Sequence, residues 1–270
     1  MENIRQGEPP FAVLQRLHKS AETKMESALG SALLFRFACN LEDETLTSFA
    51  MSDLSAQNLT LGFIYYVVFL FSTTCHEAAH ALVGKLGGDE TAALGGQVTL
   101  NPIPHIRRSP FGMVVMPLLS FFFYGGMIGW ASAPYDPLWE RQYPHRAARM
   151  ALAGPAANFT LMILGAIGLR IGSAFHLLHG DPVTGTPSLV AMVLFVVVTL
   201  NLLLGTFNLL PVPPLDGSTG VMLLMSENRA QGYLDWLRGN SFAMAGLLVG
   251  LVIFRYIYPA VEAFAMRLLL

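Results

Sequence analysis

The chain has 270 residues, 53% of them hydrophobic and only 13% charged, with a formal net charge of -2 and a mean hydropathy of +0.51. A soluble domain of this length cannot bury that much apolar surface, so the composition points to an integral membrane protein. The near-neutral charge, with no basic run interleaved with aromatics, excludes a nucleic-acid binder, and two cysteines, Cys39 and Cys75, make neither a disulfide framework nor a zinc cluster and are read as packing thiols.

Residues 1–58 read as an N-terminal extension with Pro9-Pro10, scattered charges and one apolar patch, Ala28 to Ala38, that Arg36 interrupts and that is too short to span a bilayer. Its acidic residues and mid-tail position do not fit a signal peptide, whereas an amphipathic surface helix fits. Either translation begins at Met51 or residues 1–50 are dispensable; a genuine soluble extension is the alternative. The membrane core is expected over 59–220, with a loop and a last transmembrane helix over 221–270.

The first span is expected from Leu59 to Gly84. Its second half carries His76-Glu77-Ala78-Ala79-His80, and at 3.6 residues per turn the two histidines stand on one helix face, where both imidazoles can reach one zinc ion with Glu77 beside them. Two helix histidines hydrogen-bonded in a core are the alternative, but a Glu with two His in an apolar span is costly without a task. Gly87, Gly88, Gly95 and Gly96 then end the helix. Gln97-Val98-Thr99-Leu100 reads as a short strand whose edge would suit an extended peptide, and Asn101-Pro102-Ile103-Pro104-His105 as a turn-rich loop.

A second apolar stretch, Phe111 to Ala133, contains Pro117, Gly125, Gly126 and Gly129, which make it an unusual helix. Pro134-Tyr135-Asp136-Pro137 closes it, a basic loop with Arg141, His145, Arg146 and Arg149 follows, and further spans are expected at Ala151 to Leu169, Leu189 to Leu210 and Ser241 to Tyr258. The run from Leu189 to Leu210 ends in Pro211-Val212-Pro213-Pro214-Leu215-Asp216-Gly217, where the prolines preclude regular helix and leave Asp216 on unwound backbone. A hydrolytic zinc needs a third protein ligand and an open fourth position, and Asp216 is the best candidate, an Asx-type turn before Gly217 being the alternative. Asn208 and Asn158 stand out as intramembrane amides that are either functional or helix-to-helix glue; Asn201 reads as glue.

His76-Glu77-Ala78-Ala79-His80, Gly154-Pro155-Ala156-Ala157-Asn158 and Phe207-Asn208-Leu209-Leu210-Pro211-Val212-Pro213-Pro214-Leu215-Asp216-Gly217, in that order over about 59–220, resemble the site-2 proteases, a family of intramembrane zinc metalloproteases. The Leu100-Asn101-Pro102 turn and the Pro-Tyr-Asp-Pro loop are similar to its short bacterial branch, which lacks PDZ and CBS domains. The resemblance implies one zinc held by His76, His80 and Asp216, with Glu77 as catalytic base and Asn208 near the scissile carbonyl. Asn158 is a supporting candidate. Arg107-Arg108-Ser109-Pro110 departs from the acidic residue the resemblance leads one to expect there, so His105 is read as a loop residue. The implied activity is endoproteolysis of membrane-embedded or membrane-proximal segments of a protein or peptide substrate. A metal or ion transporter would not need Glu77 directly after His76 and should show two related halves, and a silent scaffold would typically have lost Glu77 or a ligand.

Parity sets the topology. His76 and His80 lie late in the first span and Asp216 lies at the end of a later one, so both must emerge on the same side for one metal to join them. Phe111 to Ala133 is therefore expected to be a re-entrant hairpin, bent at Pro117 and Gly125-Gly126, which leaves an all-α membrane protein of four transmembrane helices. Charge agrees: re-entry gathers Lys85, Arg107, Arg108, Arg141, Arg146, Arg149, Arg229 and Arg238 on one side, against Arg170, Arg255 and Arg267. That basic side is expected to face the cytoplasm, with the active site opening toward it and the protein in the cell membrane, or the inner membrane of a Gram-negative cell.

Overall fold

The computed structural model describes residues 56–124, 127–178, 180, 187–239 and 243–269. Expectations for the N-terminal extension and for a bend at Gly125-Gly126 lie outside these residues. Among the described residues, four helices are long and apolar enough to cross a membrane: α1 (Ala56–Gly87), α6 (Pro144–Ala174), α7 (Leu189–Asn208) and α10 (Ala243–Leu269). Between them lie the shorter α2 (Thr91–Leu94), α3 (Pro102–Arg108), α4 (Met116–Tyr124, entered through a π-helical turn at Phe111–Val115), α5 (Pro137–Gln142), α8 (Asp216–Gly220) and α9 (Glu227–Gly239).

The spans pack as two apolar layers. Ile64, Val68 and Phe69 of α1 meet Val196 and Leu200 of α7. On the other side of α7, Val198 and Leu202 meet Met162, Ala166 and Leu169 of α6 and Ala265 of α10. A third cluster, Trp139, Ala147, Ala148, Met150, Met222, Ala230 and Leu234, joins α5, the start of α6, the turn after α8 and α9 at the polar end. Arg238 pairs there with the buried Glu140, and Arg141 pairs with Asp235 at 3.1 Å, so α9 is clamped onto α5.

The segment expected to turn back does so. Phe111–Tyr124 is 14 residues of helix, about 21 Å at 1.5 Å per residue and well short of the roughly 30 Å hydrocarbon core. The chain then returns along it: Ile128 N–H donates to the Ser120 hydroxyl at 2.8 Å and Trp130 N–H to the Gly112 carbonyl at 3.0 Å. The two ends of the segment are tied together, because Arg108 donates to the Ser132 carbonyl and Asp136 N–H to the Asp89 carboxylate, each at 3.0 Å. Lys85 to Arg108 thus shares a side with the α5–α9 platform. At the other end of the bundle, Arg170 donates to the carbonyls of Leu268 and Leu269.

Four local expectations need correction. Gln97 to Leu100 is not a strand but a run of bends, and the described residues contain no strand at all. A strand needs a partner for its backbone groups; here Gln97 N–H bonds back to the Ala92 carbonyl and the Thr99 carbonyl accepts from His105, so these two groups are taken by local partners and not by a neighbouring strand. Asn101-Pro102 opens a helix instead of a turn-rich loop: the Asn101 side chain accepts from Ile103 N–H and Pro102 takes the first helical position. The basic loop is also helical, since α6 starts at Pro144 with two polar turns ahead of its apolar run, and α10 continues through Pro259 to Leu269 instead of stopping at Tyr258.

A cysteine placed at Ser109 and one placed at Gln142 should label from the same face of intact vesicles. Labelling from opposite faces would mean that the intervening segment crosses and that this packing is wrong.

Candidate metal centre

His76 and His80 are on the polar-end half of α1, one turn apart, each 7% exposed, with their rings edge to face at 4.6 Å. Asp216 comes from the opposite side of the bundle. After Asn208 the chain breaks at Pro211, Pro213 and Pro214 and turns so tightly that a Cβ on Gly217 would lie 2.2 Å from the Leu209 carbonyl oxygen; glycine is required there, and the turn carries the preceding Asp216 in toward α1. Its Oδ2 stands 3.1 Å from His76 Nε2 and 3.4 Å from His80 Nε2. The three ligand atoms all lie within 4.8 Å of one another. Tyr233 of α9 donates to the Ser218 carbonyl at 3.1 Å, pinning the backbone just past Asp216.

Each imidazole is fixed by its other nitrogen. His80 Nδ1 donates to the Met150 carbonyl of α6 at 2.8 Å, leaving Nε2 to face Asp216. His76 Nδ1 lies 2.6 Å from Asn158 Oδ1, also on α6. Between these two contacts sits Gly154, where a Cβ would come within 2.4 Å of His80 Nε2 and 2.5 Å of His76 Nε2. The α6 backbone is in effect the wall of the site. Glu77 is 4% exposed, and its Oε2 is buried without a hydrogen-bond partner.

This donor set fits zinc. Two imidazole nitrogens and a carboxylate are a hydrolytic-type ligand set that leaves a fourth position open. Ligands about 2.1 Å from a tetrahedral ion are roughly 3.4 Å apart, close to the spacings seen here. Lone pairs this close also require a proton or a cation between them. Without a metal, burial acts to raise the Asp216 pKa, but the His80 charge and hydrogen bonds from both rings outweigh it and hold the carboxyl well below the usual carboxylate range.

The structure therefore brings together His76, His80, Asp216 and Asn158. Asn208 lies in the last turn of α7, and its amide donates to the Leu204 carbonyl at 3.0 Å, not to this cluster. His105 is 1% exposed and holds Thr99 through Nε2 at 3.1 Å, a structural contact outside the metal group. Sequence reasoning named Gly154 only as part of a motif, read Asn201 as glue and passed over Ser72. Gly154 sits four residues before Asn158 and Ser72 four before His76, so helical spacing places each on the site's face. Asn201 had no such signal.

Four helices long enough to span, with two histidines and an aspartate closing on one point, fit a multi-pass membrane protein with a group that could hold a metal ion. The chain belongs to the site-2 protease family of zinc metalloproteases. It is 30% identical over 201 residues to the Bacillus subtilis (strain 168) protein named "Putative zinc metalloprotease YwhC", covering 65% of this chain and 83% of that one. A Mycobacterium tuberculosis protein named "Putative zinc metalloprotease Rip3" is 29% identical over 69% of this chain and 36% of its own length. "Zinc metalloprotease MJ0392" of Methanocaldococcus jannaschii is 33% identical over 43% of this chain and 32% of its own. No family model and no solved structure matches the chain.

Gly154→Ala should lower zinc affinity roughly tenfold or more, the scale of a displaced ligand support, because the added methyl must push aside both Nε2 atoms. Gly232→Ala on α9, where a Cβ meets nothing within 4 Å, is the control and should leave zinc affinity unchanged. Competition with a chromophoric chelator in detergent reads both.

Proposed function

We propose that the protein is an intramembrane endopeptidase with one zinc ion, cutting peptide bonds in membrane-embedded or membrane-proximal segments. The observation that carries this reading is the convergence of His76, His80 and Asp216 beside Glu77, whose Oε2 is buried without a hydrogen-bond partner, among helices apolar enough to span a bilayer. His76, His80 and Asp216 would hold the ion. Bound there, zinc supplies Lewis acidity and a water of lowered pKa.

The chain's own groups do the rest. Glu77, next to a ligand and with one carboxylate oxygen free of protein partners, takes the proton from the attacking water and passes it to the departing amine. The Asn208 amide, released from the Leu204 carbonyl, donates to the oxyanion. Asn158 holds the His76 ring in place. A peptide within a membrane helix hides its own amides, so the substrate segment must unwind locally before attack. The site is read as opening on the basic side with the α5–α9 platform, which the positive-inside rule assigns to the cytoplasm.

In a detergent cleavage assay with parallel zinc analysis, Glu77→Gln should keep zinc and fold but lose hydrolysis, whereas His76→Ala, His80→Ala and Asp216→Ala should lose the metal as well. Full activity in Glu77→Gln would sink the protease reading. Asn208→Ala should keep zinc and lose on the order of a hundredfold in turnover, the scale of one lost oxyanion donor; unchanged turnover would return it to a helix-packing role.

A further inference from the structure

We infer that Asn201 is a positioning residue for the metal centre: through Asn158 it dictates which nitrogen of His76 carries the proton. The inference rests on the reading of His76 as a zinc ligand. Four side chains on three spans form one hydrogen-bonded line. His76 Nδ1 meets Asn158 Oδ1 at 2.6 Å, Asn158 Nδ2 meets Asn201 Oδ1 at 2.9 Å, and Asn201 Nδ2 meets both the Ser72 hydroxyl and the Val197 carbonyl at 2.9 Å. Ser72, Asn158 and Asn201 are each 0% exposed, so bulk water cannot substitute for any partner.

A carboxamide has a donating end and an accepting end of nearly the same shape, and an imidazole can carry its proton on either nitrogen. Something in the line must therefore break the symmetry. The Val197 carbonyl does, because a carbonyl can only accept. It demands the amide nitrogen of Asn201, which turns Asn201 Oδ1 toward Asn158. That oxygen in turn demands the amide nitrogen of Asn158, which turns Asn158 Oδ1 toward His76. Nδ1 of His76 must then be the protonated one, and Nε2, 3.1 Å from Asp216, presents its lone pair to a metal. His80 reaches the same state directly, from the Met150 carbonyl. His76 faces no such carbonyl and receives its polarity from α7 by way of two amides. Helix-to-helix glue explains the pairing of two asparagines but gives no reason for the line to end on a ligand.

The test is zinc affinity by chelator competition, with the visible spectrum of the cobalt(II) form as a second readout, on the full chain in detergent. Asn201→Leu should weaken zinc binding about tenfold or more, the usual effect of losing an outer partner of a ligand, and should alter the cobalt spectrum. Ser72→Ala should change affinity less than about threefold, since Val197 still orients Asn201. In an Asn158→Asp background, where either carboxylate oxygen accepts from His76 without needing to be oriented, adding Asn201→Leu should cause no further loss. Unchanged affinity and spectrum in Asn201→Leu, or a loss that persists in full in the Asn158→Asp background, would overturn the proposal. Should Asn201→Leu not fold, Asn201→Ala, which removes bulk instead of adding it, is read the same way. His76→Ala separates the two levels of argument: retained zinc there means the metal-site reading fails, whereas lost zinc there with intact binding in Asn201→Leu means that only the relay fails.

Discussion

Everything in this molecule answers to the placement of one carboxylate between two imidazoles that belong to a different helix. His76 and His80 are set by the helical repeat alone, but Asp216 arrives from 136 residues later in the chain, through a loop that cannot be helical. For Oδ2 to stand 3.1 and 3.4 Å from the two rings, α1 and α7 must end on the same side, and the apolar segment between α3 and α5 must turn back. The topology is a consequence of closing one metal site.

The polar side chains inside the spans follow the same constraint. An apolar environment tolerates Asn158, Asn201 and Ser72 only because each is hydrogen-bonded, and the bonds that join them run between α1, α6 and α7, with Asn201 also held by the Val197 carbonyl of its own helix. Thr74, Thr160 and Thr199 show the other solution, each bonding a carbonyl four residues back on its own helix. The first group fixes how the helices stand around the site. The second is merely accommodated.

Much of this was legible from residue order. Histidine spacing put His76 and His80 on one helix face, the proline-rich break ended the span ahead of Asp216, which stands at the first residue of α8 and not on unwound backbone, and parity with charge predicted the turning back of Phe111 to Ala133. The errors have physical causes. Gln97-Val98-Thr99-Leu100 has strand-forming residues, yet strand formation depends on a partner that local sequence cannot reveal. Asn101-Pro102 begins both turns and helices with the same Asn101 to Ile103 bond, and only the continued helical backbone through Arg108 distinguishes them. Asn201 looked like glue because its role lies in the direction of its amide, which is set by a carbonyl on its own helix and a neighbour on another.

Gly154 also bears on how this chain can change over evolutionary time. Most helix-packing glycines tolerate alanine at some cost, since a neighbouring side chain can shift by a few tenths of an ångström. Here the neighbours are Nε2 atoms already committed to a fixed point, within 2.5 Å of where any Cβ must go. Any side chain at this position must therefore push both rings away from that point. A side chain at position 154 would thus disturb the centre without replacing any of the three groups that converge there.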